Sequence, residues 1–272
     1  MEPEIDNRTF RDYTDEEIDN KLQADVEVHN KKVRRIVIIF VILLLFLFRG
    51  TIAYWVKFGI AIPSGYTKEI IDTSKDPIQI NYSEREQEKK KFTYHSLINK
   101  GTMEITPQAH YILSGKVIAY NHDFLFISKF FDSAALYDLG ASWGKLADKK
   151  LLKEYFKVYS HKIQLTGVRR LNWSWRSDIP YDEKYITSHL SHTHVIPANR
   201  NIMAAMLKLR MYQDVKLEGE LVDMTSHDVK NHKIYTYKTS LSRSDTDNSS
   251  RGFGSCETMY VTKVQIGNRI YK

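Results

Sequence analysis

The sequence predicts an α+β protein with one N-terminal transmembrane helix, followed by a β-rich extracytoplasmic domain that contains a few short helices. Three observations support this prediction. Thirteen consecutive apolar residues run from Ile36 to Phe48. After residue 77, polar residues alternate with β-branched and aromatic ones, as strands require. Stretches with helical spacing of apolar residues interrupt that alternation. With 272 residues, the chain is long enough for one or two domains with a real hydrophobic core.

The apolar run is long enough to span a membrane when it is extended past Arg49. A helix rises ~1.5 Å per residue, so thirteen residues cover only ~20 Å of a ~30 Å hydrocarbon core. Extension to Val56 gives the required length if Arg49 reaches toward an interface. Tyr54 and Trp55 lie where an interfacial aromatic belt is expected. Leu and β-branched residues on every face argue against a buried core helix, so we predict a span at residues 33–57.

The flanking charges predict the orientation of the span. Lys31, Lys32, Arg34 and Arg35 precede it, so the positive-inside rule places the N-terminus in the cytoplasm and the C-terminal domain outside. A cleaved signal peptide is rejected because no small-x-small cleavage site closes the apolar run. The predicted parts are a cytoplasmic tail (1–32), the transmembrane helix (33–57), a Pro-, Gly- and Ser-containing stalk (58–76) and the extracytoplasmic domain (77–272).

Charge and motif content limit the partners. The tail is acidic, so the rest of the chain contains the basic excess behind the formal net charge of +7. A basic domain facing an envelope is suited to anionic lipid or cell-wall polymer, although ordinary solubilising charge explains the excess as well. The expected partners are the lipid bilayer and an envelope protein or glycan. Nucleic acid is not expected outside the membrane, and no Walker, Rossmann or kinase pattern indicates a nucleotide.

Within the domain, strands are predicted at both ends and helices between them. In the segment "FDSAALYDLGASWGKLADKKLLKEYFKVYS", helical spacing predicts two short helices separated by Gly140 and Gly144. Another helix is predicted in "RNIMAAMLKLRMY", with Asn199 as its N-cap. The last quarter predicts three antiparallel strands, which with the preceding helix suggest a small α+β domain or a partly closed barrel.

The segment "TSHLSHTHVIPAN" contains a candidate metal site. His192 and His194 are two residues apart, so on a strand both project from the same face. Such a pair supplies two zinc ligands, and a site needs a third. The candidates for the third ligand are His189, Asp245, Asp247, Cys256 and Glu257. No H-E-x-x-H pattern is present, and histidines that merely decorate an exposed strand are the alternative. We therefore expect no cofactor, with zinc as the alternative.

Cys256 is the sole cysteine, so the domain has no internal disulfide. It ends the Gly-rich segment "SLSRSDTDNSSRGFGSCET", where backbone N–H groups can approach a thiol and lower its pKa or form an oxyanion hole. A cysteine nucleophile needs a base, and His192 or His194 is suitable. Arg243 or Arg269 is the candidate oxyanion partner. Glu257, which follows Cys256 in the sequence, is a further candidate catalytic residue. Alternatively, Cys256 is a small buried hydrophobe at the start of the last strand.

The motifs "SHTHVIPA", "VKLEGELV" and "SRSDT…GSCE" resemble those of a family of uncharacterised bacterial membrane-anchored proteins. That family shares S-H-x-H-[VLI]-I-P-A, V-x-L-x-G-x-L-V and R-x-D-T-G-x-G-x-C-E, and "YDLGASWG" is similar to its D-x-x-x-x-W-G element. The chain departs from the pattern at Asp247, where the family has Gly, and in residues inserted before Cys256. The resemblance implies membrane anchoring and no particular activity.

The order of tail, anchor and β-rich domain, with His, then Cys, then Arg269, is similar to that of sortases. The chain departs from them because a sortase cysteine ends a T-L-x-T-C strand, whereas "GFGSC" predicts a loop. Three functional hypotheses follow. The favoured one is a binding or assembly module of the cell envelope. The alternative is a cysteine-based transferase or hydrolase, with zinc binding at the His-x-His pair as a third hypothesis.

Overall fold

The computed structural model describes residues 15–47, 57–97, 102–121, 134–163, 168–228, 233–242 and 256–272. The chain divides into two compact units, Met1–Tyr54 and Trp55–Lys272. The first unit contains helix α1 (Asp15–Leu47). Every side chain from Ile36 to Leu43 is apolar and exposed, so α1 is hydrophobic on all its faces over two turns.

Among the described residues, no helix is both long enough and apolar enough to cross a membrane. The predicted span runs from residue 33 to 57, and its residues 48–56 lie outside the described part of the chain. Residues 1–14 of the predicted tail lie outside it as well.

The second unit is built on five strands that pair in a closed ring. The strands follow one another around the ring in the order β4 (Thr102–Asn121), β9 (Asp214–Asp228), β11 (Glu257–Ile266), β8 (Leu190–Pro197) and β5 (Tyr137–Ser142). The β5–β4 pairing closes the ring. Strands β8 and β11 are parallel, and the other four pairs are antiparallel. This α+β architecture agrees with the predicted fold class.

The remaining elements extend or cover this ring. Five short strands lengthen its sheet, and β6 and β7 form a separate hairpin. The strands are β1 (Gly65–Tyr66), β2 (Ile78–Asn81), β3 (Phe92–His95), β6 (Phe156–Ile163), β7 (Val168–Trp175), β10 (Lys233–Tyr237) and β12 (Arg269–Tyr271). The helices are α2 (Glu84–Lys90), α3 (Lys149–Tyr155), α4 (Glu183–Ser188), α5 (Arg200–Met206) and a 3-10 turn (Gly144–Ala147).

A hydrophobic cluster joins the covering elements to strands β4 and β8. Leu152 of α3, Leu171 of β7 and Ile186 of α4 are buried against Ile118 and Leu190. Burial of each such side chain stabilises the fold by ~1.5–3 kcal/mol before entropy is counted. The cluster covers the Leu190 end of the β8 face that contains the two histidines.

The helix that the sequence predicts after Asn199 is confirmed. The Asn199 side chain accepts a hydrogen bond from the Ile202 backbone N–H at 2.9 Å and so caps α5. The predicted stalk, residues 58–76, lies in the compact second unit. Its Phe58, Ala61 and Ile71 are buried, and β1 within it pairs with β12.

The prediction of two helices around Gly140 is wrong for the first of them, because residues 137–142 form β5. All six residues of β5 are buried, so the strand has no polar–apolar alternation from which it can be recognised. Gly140 is not a helix breaker. A Cβ at this position would lie 3.0 Å from Cζ3 of Trp173, so glycine permits the β7 side chain to pack against β5.

Gly219 of β9 lies where the backbone of β11 comes close to that of β9. A Cβ at this position would lie 2.0 Å from the backbone oxygen of Tyr260, beside the bulge between Val261 and Lys263. We expect Gly219→Ala to lower the free energy of unfolding by about 2 kcal/mol or more, because β11 must move. The urea midpoint measures this. Gly65→Ala is the control, since a Cβ at Gly65 meets no atom within 4 Å. Equal midpoints for the two variants would contradict the predicted clash.

Candidate functional site

The parallel pairing of β8 and β11 brings the two predicted reactive segments together. Glu257 pairs with Thr193, so Cys256, one residue earlier, lies level with His192. The Sγ atom of Cys256 lies 3.4 Å from Nδ1 of His192. Cys256 also forms a hydrogen bond with His194, and the two imidazole rings are 4.8 Å apart. The structure therefore brings together the thiol and both histidines of the sequence prediction.

Asp138 completes this arrangement from the other side of β8. It pairs with His194 in the antiparallel β5–β8 ladder, and its Oδ1 lies 2.8 Å from His194 Nδ1. Asp138 is buried. The carboxylate accepts a hydrogen bond from the Nδ1–H group, which leaves Nε2 as the nitrogen of His194 that can face the thiol. This is the carboxylate–imidazole–nucleophile order of a catalytic triad.

The electrostatics of the site favour a charged pair. Burial opposes ionisation of Cys256, but hydrogen bonds from His192 and His194 outweigh it and lower the pKa of the thiol from 9.0 to about 7. Burial also disfavours a charged His194, but the charge and hydrogen bond of Asp138 outweigh it and raise the pKa of the imidazole from 6.5 to about 9. Both shifts favour a thiolate of Cys256 beside a cationic His194 near neutral pH.

His192 is held by the β6–β7 hairpin. Its ring meets the edge of the Trp173 indole, with centroids 5.8 Å apart and planes at 73°. Gly140 pairs with His192 across the β5–β8 ladder, and its missing side chain makes room for Trp173. Because His192 is buried, this packing fixes the ring whose Nδ1 faces the thiol.

Glu257 lies on the opposite face of the sheet from the histidines. Its carboxylate accepts hydrogen bonds from Tyr111 Oη at 3.1 Å and Thr193 Oγ1 at 2.9 Å, and all three residues are buried. Successive residues of a strand point to opposite faces, so Thr193 and Glu257 face away from the side on which His192 and His194 project. The structure thus gives Glu257 a role in joining β4, β8 and β11.

Of the other predicted residues, none of those described joins the thiol. Arg269 is exposed on β12, opposite Ile266, and that point of β11 is ten residues from Cys256, about 30 Å along a strand. The prediction that Arg269 is the oxyanion partner of Cys256 is therefore wrong. Arg243, Asp245 and Asp247 lie outside the described residues. His189 is the C-cap residue of α4, and its Nδ1 lies 2.8 Å from the Tyr185 carbonyl oxygen.

Cys256, His192 and His194 can together hold a metal ion. Their donor atoms all lie within 4.8 Å of one another. A thiolate with two imidazoles is a ligand set that zinc and copper accept. A carboxylate behind a ligating histidine, as Asp138 is behind His194, commonly orients such a ligand. Of the candidates predicted for the third ligand, Cys256 is thus the one that the structure places beside the His-x-His pair.

Sequence reasoning did not include Asp138 among the site residues. A signal was present, because Asp138 begins the D-x-x-x-x-W-G element of "YDLGASWG". The resemblance to the bacterial family and the similarity to sortases stay predictions. Comparison of the chain with known protein families, with curated proteins and with solved structures finds no match.

Proposed function

We propose that the domain is a cysteine-based transferase or hydrolase in which Cys256 is the nucleophile. The observation that supports this is the arrangement of the Cys256 thiol beside two buried imidazoles, one of them held by the buried carboxylate of Asp138. His194 with Asp138 is the general base and acid. His192, at 3.4 Å from Sγ, stabilises the thiolate.

The reaction class is acyl transfer. The thiolate attacks a carbonyl carbon, a C–S bond forms, and the leaving group departs with a proton from His194. Water or an acceptor amine then attacks the thioester and gives its proton to His194, while the sulfur leaves as thiolate. The cation at His194 is present for the first step because Asp138 stabilises it.

The sequence alone favoured a non-catalytic binding or assembly module, and the geometry favours catalysis instead. Burial of ionisable side chains costs free energy unless they are paired. A binding surface has no need of a buried cluster of such side chains. Clusters in which burial and a charged neighbour both shift pKa values are concentrated at catalytic sites.

Zinc binding by Cys256, His192 and His194 is the second candidate function. The observation that favours it is the closeness of the three donor atoms, with Asp138 behind one of them. A zinc site of this kind has three protein ligands and one position open to water or substrate.

We also propose that residues 33–57 anchor the chain as a single membrane span, with the N-terminus in the cytoplasm and the catalytic domain in the cell envelope. The exposure of apolar side chains on every face of α1 between Ile36 and Leu43 supports this anchor. The basic residues at 31–35 support its orientation. An envelope protein or glycan is the proposed acyl donor or acceptor.

The acylation of Cys256 tests the catalytic proposal. With p-nitrophenyl acetate as acyl donor and metal removed by a chelator, we expect a burst of one nitrophenolate per chain and an acetyl group on Cys256. The burst rate should rise with pH around a midpoint near 7, because the thiolate is the attacking form and the pKa of Cys256 is about 7. Stopped-flow absorbance and peptide mass spectrometry give the rate and the modified residue.

Cys256→Ala is the control and should show no burst. A burst whose midpoint lies near 9.0 would contradict the coupling of the thiol to the histidines. A native chain that is not acylated at any pH would contradict the proposal, and the binding or assembly module would then be the favoured function. A thiol that reacts only after the chelator is added, in a protein purified with stoichiometric metal, would support the zinc site instead.

A further inference from the structure

Four large apolar side chains are exposed within eleven residues at the start of the second unit. Ile60, Ile62, Tyr66 and Ile70 are between 64% and 87% exposed. Singly exposed apolar residues are common on protein surfaces, whereas four within one short segment indicate an interaction site. We call these four residues the apolar ridge.

The backbone under the ridge is held firmly by the domain. Asn201 accepts a hydrogen bond from the Ile62 backbone N–H at 2.8 Å and donates one to the Ile62 oxygen at 3.0 Å. Gln265 donates a hydrogen bond to the Glu69 carbonyl oxygen at 2.9 Å. Because Phe58, Ala61 and Ile71 of the same segment are buried, the exposure of the ridge follows from how this segment packs.

Basic side chains beside the ridge face solvent, and the two acidic side chains of the segment, although exposed, are paired with lysines. Lys68, Arg269 and Lys272 are exposed, and Arg269 pairs with Tyr66 across β1 and β12. The acidic groups of the segment are both engaged by lysine: Glu69 with Lys216 at 2.8 Å and Asp72 with Lys75 at 3.2 Å. This charge pattern is complementary to anionic lipid headgroups.

The ridge is also close to the proposed membrane anchor along the chain. The anchor ends at residue 57, and Ile60 is three residues later, so it lies within about 10 Å of the end of the anchor. A bilayer is therefore the apolar environment that these side chains reach first, whereas a partner protein would have to compete with it.

We propose that the apolar ridge inserts into the interface of the anchoring membrane, beneath a basic rim that contacts anionic headgroups. This inference rests on the proposed anchor. Ile60, Ile62 and Ile70 supply the inserted apolar area, and Tyr66 lies at headgroup depth, where tyrosine is favoured. Insertion holds the domain against the bilayer surface and limits the acyl donors or acceptors of Cys256 to those at that surface.

Site-directed fluorescence on the full chain tests the insertion. Ile70→Cys is prepared in a Cys256→Ser background, labelled with the polarity-sensitive NBD group and reconstituted into vesicles of phosphatidylcholine and phosphatidylglycerol. Ile234→Cys is the matched control, since Ile234 is 65% exposed on β10, outside the ridge. We expect brominated lipid to quench the label at residue 70 at least about twofold more than the label at residue 234. The emission at residue 70 should also shift to the blue.

Alkaline carbonate extraction separates failure of the ridge from failure of the anchor. If the chain stays with the vesicles while both labels are quenched equally, the ridge proposal is overturned and the anchor stands. If carbonate releases the chain, the anchor is wrong and the ridge proposal with it. A blue shift that grows with protein concentration at constant lipid, without quenching, would identify a second copy of the chain as the occupant and overturn the proposal. Ile62→Asp should reduce the quenching at residue 70, and an unchanged signal would also count against it.

Discussion

Asp138→Asn is expected to lower the acylation rate of Cys256 at pH 7 by at least about tenfold. An amide keeps the shape of the side chain but removes the charge that raises the pKa of His194. Burial then dominates and lowers that pKa, so His194 is neutral at pH 7. A neutral imidazole stabilises the thiolate less, and the pKa of Cys256 returns toward or above 9.0. The burst rate with p-nitrophenyl acetate measures the loss.

The pH dependence of the variant and its urea transition together separate loss of charge from loss of structure. At pH 10 the thiol ionises without help from His194, so the rates of Asp138→Asn and wild type should converge. An unfolded variant would also gain rate through its exposed thiolate, so Asp138→Asn must in addition keep the cooperative urea transition of the wild type. Asp148→Asn is the control for removing an aspartate elsewhere, because Asp148 caps α3 and asparagine is an equally good N-cap. A wild-type rate for Asp138→Asn at pH 7 would show that the carboxylate does not act through His194.

The histidine part of the site could be predicted because it follows from local geometry. On a strand, the two-residue spacing of His192 and His194 places both side chains on one face. Alternation of side chains predicts a strand for the segment after Cys256. That these strands pair in parallel, with Cys256 level with His192, follows from contacts between segments 64 residues apart. No local pattern encodes such a pairing.

Asp138 and Glu257 show why the rest of the site could not be predicted. β5 is buried on both faces, so its residues show neither strand alternation nor the polarity of a surface. Its central segment therefore suggested a helix, and the aspartate within it was overlooked. Glu257 stands beside Cys256 in the sequence, but the side chains of a strand alternate. Its carboxylate accordingly meets Tyr111 and Thr193 on the opposite face.

The coupling of Cys256 and His194 also predicts how stability depends on pH. The raised pKa of His194 stabilises the folded state fully below 6.5, and this contribution is lost as the pH rises through about 9. The lowered pKa of Cys256 acts in the opposite sense. Its contribution is complete above 9.0 and is lost as the pH falls through about 7. Between pH 7 and 9 the two contributions cancel, so the free energy of unfolding of the wild type should hardly change from these groups.

Cys256→Ala removes one of the two contributions and should reveal the other. Asp138, the stronger influence that raises the pKa of His194, is still present. The free energy of unfolding of Cys256→Ala should therefore fall by up to about 3 kcal/mol between pH 6.5 and 9, because the unfolded state loses its proton first. Urea denaturation at intervals across this range measures the fall. Adding Asp138→Asn should abolish it, since the pKa of His194 is then no longer raised. If Cys256→Ala is as independent of pH as the wild type, His194 does not hold a proton for Asp138, and the charged pair at the centre of the proposed mechanism does not form.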